Sequence, residues 1–420
     1  MQLLRGTKDI LPDEIQFWQH IYDLANDIFL LSNYNEIRTP ILEQTNLFKR
    51  SIGNDTDIVN KEMYNFLDQS KRCITLRPEG TASIARAFIS NKLYTSNNIH
   101  RLWYMGPMFR YERPQKGRQR QFHQLGIECI GSLSYIADVE VIRLAIKILE
   151  TCQLSRYKLE INSIGSSEER QIYKYELIDY LIKYKKDLDE DSKKRLEINP
   201  LRILDSKNIK TQEILNEAPK LISYIQSESL NHFNKICEHL TYLSIPYKIN
   251  EKLVRGLDYY NWTAFEIKTD ILGNQDTICG GGRYDTLIEY LGGPKTPAVG
   301  WAIGIERLLM ITTKIININK NISKVYIIIQ GLKAEQKVWD IIKILEEYKI
   351  SFNLDLNQSN LKKQMKKASQ SSAKICCILG ENEINYNYIT IKWLKTSKQQ
   401  KISLDTFKQY LYDIKNLIIT

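Results

Sequence analysis

The amino-acid sequence predicts an α+β core with an antiparallel sheet, interrupted by a helical insertion and followed by a small α/β domain. Two strand-like runs between residues 101 and 132 are joined by a loop rather than a helix, which is typical of antiparallel pairing. From about residue 166 to about 246 the chain is rich in Lys, Glu, Tyr and Leu and has few strand patterns. Beyond residue 324, continuous apolar runs alternate with helical segments, which indicates a parallel or mixed sheet.

The N-terminal part of the chain predicts alternating helices and strands. Pro12 is followed by two acidic residues, and apolar residues at three-to-four spacing over 14–34 indicate a helix. Residues 35–44 indicate a short strand broken by Pro40. Residues 73–89 then indicate a strand, a turn and a second helix.

A hairpin follows, and its loop is strongly basic. Guanidinium groups match phosphate oxygens in bidentate geometry, so several arginines on one loop indicate a polyphosphate or an RNA backbone. Tyr111, Phe122 and His123 lie among these cations and offer faces on which a base can stack. A solvated charged loop is the alternative interpretation.

The remaining patterns divide the chain into segments. A helix over 138–152 and a strand over 157–165 precede the helical stretch, and strands resume at 247. A polar run near 314 indicates a linker. The predicted segments are a first part of the core, 1–165; the helical insertion, 166–245; a second part of the core, 246–313; a linker, 314–323; and a C-terminal domain, 324–420.

The composition of the chain limits the classes of protein to which it can belong. The 420 residues carry a formal charge of +10, which favours a polyanionic partner such as nucleic acid, although solubility alone also explains it. The seven cysteines are scattered, which argues against a disulfide framework and for a reducing compartment. Cys237 and His239 lie close together, but no second pair completes a metal site, so none is predicted. No run is long enough to span a membrane, and no targeting pattern precedes the first elements, so we expect a soluble protein.

Four short stretches are candidates for chemistry. In "LRPEGT" (76–81) a tight turn fixes a carboxylate beside a hydroxyl, which suits an ammonium group, although this stretch taken alone favours an ordinary helix N-terminus capped by the threonine. "LVRGLDYYN" (253–261) combines a cation with phenols on a strand-like segment, or is a strand end with ordinary tyrosine packing. The glycines of "CGGGRYD" (279–285) permit close approach of a ligand. In "AVGWAIGIERLLM" (298–310) Arg307 follows Glu306 at a helix start, where an arginine opposes the dipole unless an anion binds.

In this order, the stretches resemble the histidyl-tRNA synthetase family of class II aminoacyl-tRNA synthetases over nearly the whole chain. "RGTKDILPDE" resembles the family's N-terminal segment, "IRTPILEQTNLF" its dimer-forming motif 1, "MGPMFRYERPQKGRQRQFHQLGIE" its motif 2 and "GWAIGIERLLM" its motif 3. "LVRGLDYYN" and "GGGRYD" resemble the stretches peculiar to the histidine enzymes. The resemblance implies a class II catalytic core with a helical insertion that grips the tRNA acceptor stem, and a C-terminal α/β anticodon-binding domain.

The resemblance also implies a reaction and its residues. The histidine carboxylate attacks the α-phosphate of ATP, and the acyl group then passes to the tRNA 3′ end, with fixed cations rather than a protein nucleophile supplying the rate. The implied catalytic residues are Arg110, Arg255 and Arg307. The implied ATP-binding residues are Arg110, Arg113, Arg118, Phe122 and Arg307, and Mg²⁺ is expected to bind through the phosphates of ATP. Lys116 and Arg120 are implied to meet the tRNA acceptor end.

Histidine recognition is implied at a second group of residues. A neutral imidazole offers one donor and one acceptor, so two fixed polar groups can read it. Buried polar groups left unpaired by a wrong side chain would reject it, which makes an editing site unnecessary. Glu128 and Tyr260 match the pair that reads the ring, with Tyr259 beside them, and Glu79, Thr81 and Gln124 match the positions around the amino group.

Partners and alternatives follow from the same resemblance. It implies tRNA(His), ATP and L-histidine as partners, a homodimer and no membrane. A non-catalytic, histidine-sensing regulatory paralogue is the main alternative, but such paralogues lose catalytic arginines and the C-terminal domain, which this chain retains. A general RNA-binding protein would explain the charge but not the histidine residues. The residue usage is typical of a protein encoded by an AT-rich genome, and the motifs resemble those of cyanobacterial-type enzymes. Both features favour a plastid stroma, with a bacterial cytoplasm as the alternative.

Departures from the family pattern are few. Gly280 replaces a common alanine, and Trp301 replaces a smaller aromatic residue and is expected to reshape the floor of the site. In the C-terminal domain four lysines are expected to form a solvated helix face rather than a specific contact: Lys362, Lys363, Lys366 and Lys367.

Overall fold

The computed structural model describes residues 1–53, 56–96, 98–273, 276–316, 324–357 and 359–419. The chain divides into two compact units, Met1–Ile318 and Asn319–Thr420. The predicted linker over 314–323 begins with two turn residues, 314 and 315, and its residues 317–323 lie outside the described residues.

The first unit is built on a large sheet that is mostly antiparallel. Its eight strands run in the order β1-β5-β6-β11-β10-β9-β7-β8, and only the pairs β1/β5 and β7/β8 are parallel. The predicted hairpin is confirmed, because β5 and β6 pair along ten residues with Phe109 opposite Gln121. The strands of this unit are β1 Asn35–Glu36, β2 Leu42–Gln44, β3 Tyr64–Leu67, β4 Cys73–Leu76, β5 His100–Phe109, β6 Gln121–Ile130, β7 Lys158–Gly165, β8 Tyr247–Ile249, β9 Asn261–Lys268, β10 Thr277–Arg283 and β11 Ala298–Gly304.

Helices pack against both faces of this sheet. The first begins at Pro12, as predicted, with Asp13 and Glu14 in its first turn. The helices of the unit are α1 Pro12–Leu31, α2 Thr45–Ile52, α3 Thr81–Ser90, α4 Tyr135–Thr151, α5 Ser167–Ile182, α6 Glu190–Ile198, α7 Ile209–Asn216, α8 Ser227–Tyr242, α9 Leu287–Tyr290 and α10 Ile305–Thr312. Buried residues of α1, α4 and α8 join those of the sheet in one apolar cluster, which includes Phe29, Leu144 and Ile236.

The segment around Pro40 forms two strands rather than one. β1 precedes Pro40 and joins the large sheet, whereas β2 follows it and pairs with β4 in a separate three-stranded sheet, β2-β4-β3. Leu42, Phe66 and Leu67 on this small sheet are exposed. The chain therefore changes sheets at Pro40, where the missing N–H ends a ladder.

The helical insertion contains α5 to α8 and two short helical turns, Pro200–Asp205 and Leu221–Tyr224. A capping box starts α5, because the Ser166 hydroxyl accepts from the Glu169 N–H and the Glu169 carboxylate accepts from the Ser166 N–H. Phe233, Ile236 and Leu240 of α8 are buried in the apolar cluster of the large sheet. The last helix of the insertion therefore packs as part of the core.

The segment after β8 differs from its predicted form. Residues 250–260, which carry "LVRGLDYY", form turns and an irregular loop, and the next strand begins at Asn261. The phenols and the arginine therefore stand on a loop rather than on a strand. The loop lies beside the sheet, because the amide of Asn162 on β7 donates to the carbonyl of Leu253 at 3.1 Å.

The second unit is an α/β domain with a mixed sheet, in agreement with the sequence. Its strands run in the order β13-β12-β14-β15-β16, in which β12 is parallel to both neighbours and the remaining pairs are antiparallel. Its elements are β12 Val325–Ile329, α11 Leu332–Glu347, β13 Phe352–Leu354, α12 Leu361–Gln370, β14 Ile375–Leu379, α13 Glu381–Asn385, β15 Tyr388–Trp393, β16 Gln399–Ser403 and α14 Phe407–Ile419.

The lysines of α12 match their expected surface role, with one exception. Lys362, Lys363 and Lys366 are exposed, whereas Lys367 pairs with the buried Asp355 at 2.8 Å. Across both units the seven cysteines are free thiols. Among the described residues, no helix combines the length and the apolar character needed to cross a bilayer.

Candidate active site

A cavity of about 200 Å³ in the first unit collects most of the predicted site residues. They come from segments far apart in sequence: the turn and first residue of α3, the loop between β5 and β6, the start of β6, the loop 250–260 and the start of α10. The predicted residues that line the cavity are Glu79, Thr81, Arg110, Arg118, Phe122, Gln124, Arg255, Tyr259, Tyr260 and Arg307. Its walls also contain residues that were not predicted as site residues, among them Glu112, Gln119, Leu257, Thr277 and Glu306.

Glu79 is fixed at the N-terminus of α3. Its carboxylate accepts hydrogen bonds from the backbone N–H of Thr81 at 2.7 Å and of Ala82 at 2.8 Å, so Glu79 rather than Thr81 caps the helix. Burial raises the pKa of Glu79, while the two backbone donors oppose the shift. The prediction that Thr81 caps the helix is therefore wrong, whereas Glu79 lines the cavity and stays a predicted partner for an ammonium group.

Thr81 turns its hydroxyl toward Glu128 instead. The hydroxyl donates to Glu128 Oε1 at 2.7 Å, and the phenol of Tyr284 donates to Oε2. Glu128 is completely buried and is not among the residues that line the cavity. Burial raises its pKa to about 8, against the two hydroxyl donors that lower it. A side chain on Gly300 would overlap this carboxylate, so the glycine makes room for it.

Arg255 reaches into the cavity from the loop 250–260. Its guanidinium forms an ion pair with Glu266 on β9 and lies 5.5 Å from the centre of the Tyr260 ring. Burial favours the neutral form, but the carboxylate of Glu266 outweighs it and the pKa of Arg255 is raised. Gly280 forms the surface beneath the guanidinium, and a Cβ there would overlap it.

The loop between β5 and β6 supplies two further cations. Arg110 donates from Nε to the carbonyl of Pro78 at 2.9 Å and lies 5.2 Å from the centre of the Phe122 ring. Arg118 pairs with Glu112 at 3.1 Å, and Arg110 lies 3.9 Å from the same carboxylate. The acid therefore stands between two guanidinium groups on the cavity wall.

Arg307 closes the opposite side of the cavity. It donates to the carbonyl of Gly117 at 3.0 Å and to the carbonyl of Thr277 at 2.8 Å. Burial, and then the charge of Arg118, lower its pKa. Its neighbour Glu306 accepts from the backbone N–H and the ring Nδ1 of His123, each at about 2.9 Å. The start of α10 thus presents a cation to the cavity, as expected, and uses its acid to hold β6.

Several predicted positions lie elsewhere. Arg113 and Lys116 are exposed on the loop and do not line the cavity. Arg120 stacks on Tyr111, with 3.7 Å between the guanidinium carbon and the ring centre. Tyr111 and His123 are therefore held by protein groups, and of the three aromatic residues noted in this stretch only Phe122 faces the cavity.

A family model described as histidyl-tRNA synthetase matches residues 6–308, and one described as an anticodon-binding domain matches residues 324–414. The chain belongs to the histidyl-tRNA synthetase family.

Known relatives agree along the full length. A chloroplastic histidine–tRNA ligase of Gracilaria tenuistipitata var. liui is 62% identical over 416 residues, which are 99% of this chain and 99% of the relative. A histidine–tRNA ligase of Gloeothece citriformis is 50% identical and covers 99% of this chain and 96% of its own length. The crystal structure of the apo histidyl-tRNA synthetase of S. aureus matches 98% of this chain and 99% of its own, with a TM-score of 0.82 and 34% identity.

These matches confirm the predicted class II fold with a C-terminal anticodon-binding domain. They also support the predicted ATP-dependent aminoacyl-tRNA ligase over the regulatory alternative, since the relatives that match the full chain are ligases.

One departure from the pattern of the histidyl-tRNA synthetases has no effect on the site floor. The sequence predicts that Trp301 reshapes the floor, but its indole N–H donates to the carbonyl of Val141 on α4 at 2.8 Å, on the face of the sheet that α1, α4 and α8 cover. Successive residues of a strand face opposite sides, so Ala302 and Gly304 line the cavity in its place.

Proposed function

We propose that the protein converts histidine and ATP to histidyl-adenylate and diphosphate, then transfers the histidyl group to the 3′ end of tRNA(His) and releases AMP. The observation that carries this proposal is the convergence of Arg110, Arg255 and Arg307 on the cavity that also contains Glu79. Three cations suit a triphosphate and a carboxylate, and a buried carboxylate suits an ammonium group.

In the first step a histidine carboxylate oxygen attacks the α-phosphorus, and the bond from this phosphorus to the bridging oxygen of the β-phosphate breaks. Two anions must approach each other, so the cations on the protein lower the barrier by reducing their repulsion and by stabilising the charge that develops. Arg255 stands between Glu266 and the tyrosines, where it can contact both the carboxylate and the α-phosphate. Arg110 and Arg307 would hold the α-phosphate and the outer phosphates.

The triphosphate would also rearrange the Glu112 ion pairs. In the ligand-free protein this acid neutralises Arg118 at 3.1 Å and approaches Arg110. Phosphate oxygens also accept bidentate bonds from arginine, and a triphosphate carries more negative charge than one carboxylate, so ATP is expected to take over both guanidinium groups. Phe122, beside Arg110, would give the adenine a stacking surface, and Arg113 would contact ATP only if the loop moved inward.

Mg²⁺ would bind this site mainly through the phosphates of ATP, with one or two carboxylates of the protein as further ligands. Within the described residues, no cluster of three or more His, Cys, Asp or Glu side chains has the arrangement of a metal site. Mg²⁺ commonly binds with one or two carboxylates together with substrate phosphates, and the cavity wall offers the carboxylates of Glu112 and Glu306. The metal would neutralise charge on the phosphates as diphosphate leaves.

Histidine would bind with its amino group at Glu79 and its ring toward Tyr260. The phenol of Tyr259 lies 3.5 Å from Glu79 Oε2, so it helps to fix the carboxylate, and Gln124 lines the same wall. Thr81 lines the cavity and its hydroxyl donates to Glu128, so Glu128 would read the imidazole through Thr81 or in exchange for that bond. A protonated Glu128 would offer a donor to the acceptor nitrogen of the ring.

For transfer of the histidyl group, the protein would contact tRNA at two places, the acceptor end and the anticodon. Lys116 at the exposed tip of the loop and Arg120 behind it are proposed to meet the acceptor end, and the second unit, which matches the anticodon-binding model, would read the anticodon. The helical insertion would grip the acceptor stem.

A homodimer through the motif 1 segment is also proposed. It is supported by the exposed apolar residues Leu42, Phe66 and Leu67 of the small sheet. The red-algal relatives named chloroplastic support a plastid stroma, with a bacterial cytoplasm as the alternative. Sedimentation of the purified protein and mapping of its coding DNA test these two points.

Histidine-dependent exchange of labelled diphosphate into ATP tests the reaction. We expect exchange with histidine and none with other amino acids. No exchange with histidine, or equal exchange with another amino acid, would overturn the assignment.

A further inference from the structure

The active-site loop 250–260 is bound from behind by the helical insertion. Arg202, in the helical turn after α6, donates from Nη2 to the carbonyl of Gly256. Arg170, on α5, donates from Nη1 to the carbonyl of Tyr260. These carbonyls flank the backbone of the residues that face the cavity, Arg255 and Tyr260.

The two arginines line a second cavity, of about 330 Å³, on the other side of this loop. Arg255, Leu257 and Tyr260 border both cavities, so the loop is the wall between them. A displacement of the wall toward one cavity is therefore a displacement away from the other.

Further side chains of the helical insertion bind the same loop. The amide of Asn199 donates to Asp258 Oδ1 at 3.1 Å. The ammonium group of Lys252 donates to Gln212 Oε1 at 2.8 Å and to Asn216 Oδ1 at 2.7 Å, both on α7.

Charge-assisted hydrogen bonds to a backbone carbonyl fix the main chain itself, not only a side chain. From this arrangement we infer that Arg170 and Arg202 are positioning residues for the amino-acid site. They contact neither the first cavity nor its predicted ligands, but they set where the guanidinium of Arg255 and the ring of Tyr260 stand. Removal of either should let the loop sample other positions and reduce the fraction that is ready for substrate.

A consequence follows for tRNA, and it rests on the proposed function. If the helical insertion grips the acceptor stem, the element that binds tRNA also holds the loop that binds histidine. Linkage then requires that histidine and tRNA change each other's affinity by the same factor.

Arg170→Met, Arg202→Met and Arg202→Lys test the inference, with Lys210→Met as the matched control. Lys210 lies in the same helical insertion but pairs with Asp187 at 2.7 Å and does not contact the loop. The first measurement is hydrogen exchange of peptides that cover 250–262 in the ligand-free proteins, which requires no activity. We expect faster exchange there in both methionine variants, partial recovery in Arg202→Lys, and no change in Lys210→Met.

The second measurement is diphosphate exchange, normalised by titration of active sites. We expect KM for histidine to rise roughly tenfold in each methionine variant, the equivalent of one lost hydrogen bond to a charged group, with a smaller change in KM for ATP. A purely structural role would lower the number of active sites and the melting temperature without changing KM for histidine. Unchanged hydrogen-exchange rates at 250–262 in the folded variants would overturn the inference. Absence of diphosphate exchange in the unmodified protein would overturn only the proposed function.

Discussion

The guanidinium of Arg255 lies directly over Gly280, at a distance that leaves no room for a β-carbon on the glycine. Gly280 lies in the middle of strand β10 and lines the cavity, and Arg255 enters the cavity from the loop 250–260. The glycine therefore allows the cation to approach the strand backbone.

Gly280→Ala should displace Arg255 without unfolding the protein. The overlapping group is the far end of a flexible side chain, so it can move aside at modest cost. A 1 Å misplacement in a catalytic site can cost roughly a hundredfold in rate, so we expect a loss of about tenfold to a hundredfold in kcat/KM for histidine. Diphosphate exchange measures the loss, with melting temperature as the control. Unchanged kinetic constants would show that Arg255 tolerates the new position.

Arg255→Met should abolish adenylate formation while the chain stays folded. Glu266 would lose its ion-pair partner, but Thr277 Oγ1 still donates to it at 3.1 Å and Lys268 lies 3.7 Å away, so the acid keeps polar neighbours. We expect diphosphate exchange to fall by at least about a thousandfold, as for the loss of a group that stabilises transition-state charge. Circular dichroism and sedimentation report the fold and the oligomer. An unfolded variant would instead make Arg255 a structural residue.

The sequence predicts the site well where local patterns determine the structure. The hairpin of β5 and β6 follows from two strand-like runs with a basic loop between them, and the order of the motifs identifies the arginines that converge. Strand periodicity also predicts that Trp301 and Ala302 face opposite sides, but not which side is the cavity, so Trp301 was placed on the wrong side.

Contacts between distant segments could not be predicted in this way. Glu306 was assigned to a helix start, but its bonds to His123 join residues 183 positions apart, and no local signal marks the partner. The same holds for Arg170 and Arg202, whose acceptor carbonyls lie 90 and 54 positions away. Such contacts depend on how elements pack, which a single sequence does not encode in its periodicity.

Glu128→Gln should flatten the dependence of stability on pH. Burial raises the pKa of Glu128 in the folded state to about 8, above the ordinary value of 4.5. Between pH 4.5 and pH 8, Glu128 is therefore protonated in the folded protein and ionised in the unfolded chain. The contribution of Glu128 to the free energy of unfolding is therefore greatest below pH 4.5. It falls as the pH rises toward 8, by at most about 1.4 kcal/mol per pH unit.

Urea unfolding between about pH 5 and pH 8 measures this slope, and the glutamine variant should show a smaller one than the unmodified protein. Glu79, whose pKa burial also raises, leaves a residual slope of the same sign. Parallel curves for the two proteins would mean that Glu128 is ionised in the folded state.

Asp138→Asn should destabilise the first unit strongly. Asp138 on α4 and Arg283 on β10 are both buried, and the Arg283 Nε lies 3.2 Å from Asp138 Oδ2. The variant leaves a buried guanidinium without its main counter-charge, which costs about 3–5 kcal/mol in the free energy of unfolding. Lys185→Met, which breaks an exposed ion pair with Glu197, is the control and should leave the urea midpoint unchanged. A midpoint equally unchanged in Asp138→Asn would show that Asp285 and the carbonyls of Ser132 and Ser134 suffice for Arg283.

Lys116→Ala should weaken the binding of tRNA without affecting activation of histidine. Lys116 is exposed on the loop between β5 and β6 and does not line the cavity, so diphosphate exchange by the variant should match that of the unmodified protein. Each phosphate contact releases bound counterions, so loss of one contact reduces the dependence of log KM for tRNA on log salt by about 1. Aminoacylation at several salt concentrations measures this slope, and exchange by the same variant is its internal control. A lysine that is only exposed to solvent would leave the slope unchanged when it is replaced. An identical slope in the variant would therefore show that Lys116 does not contact tRNA.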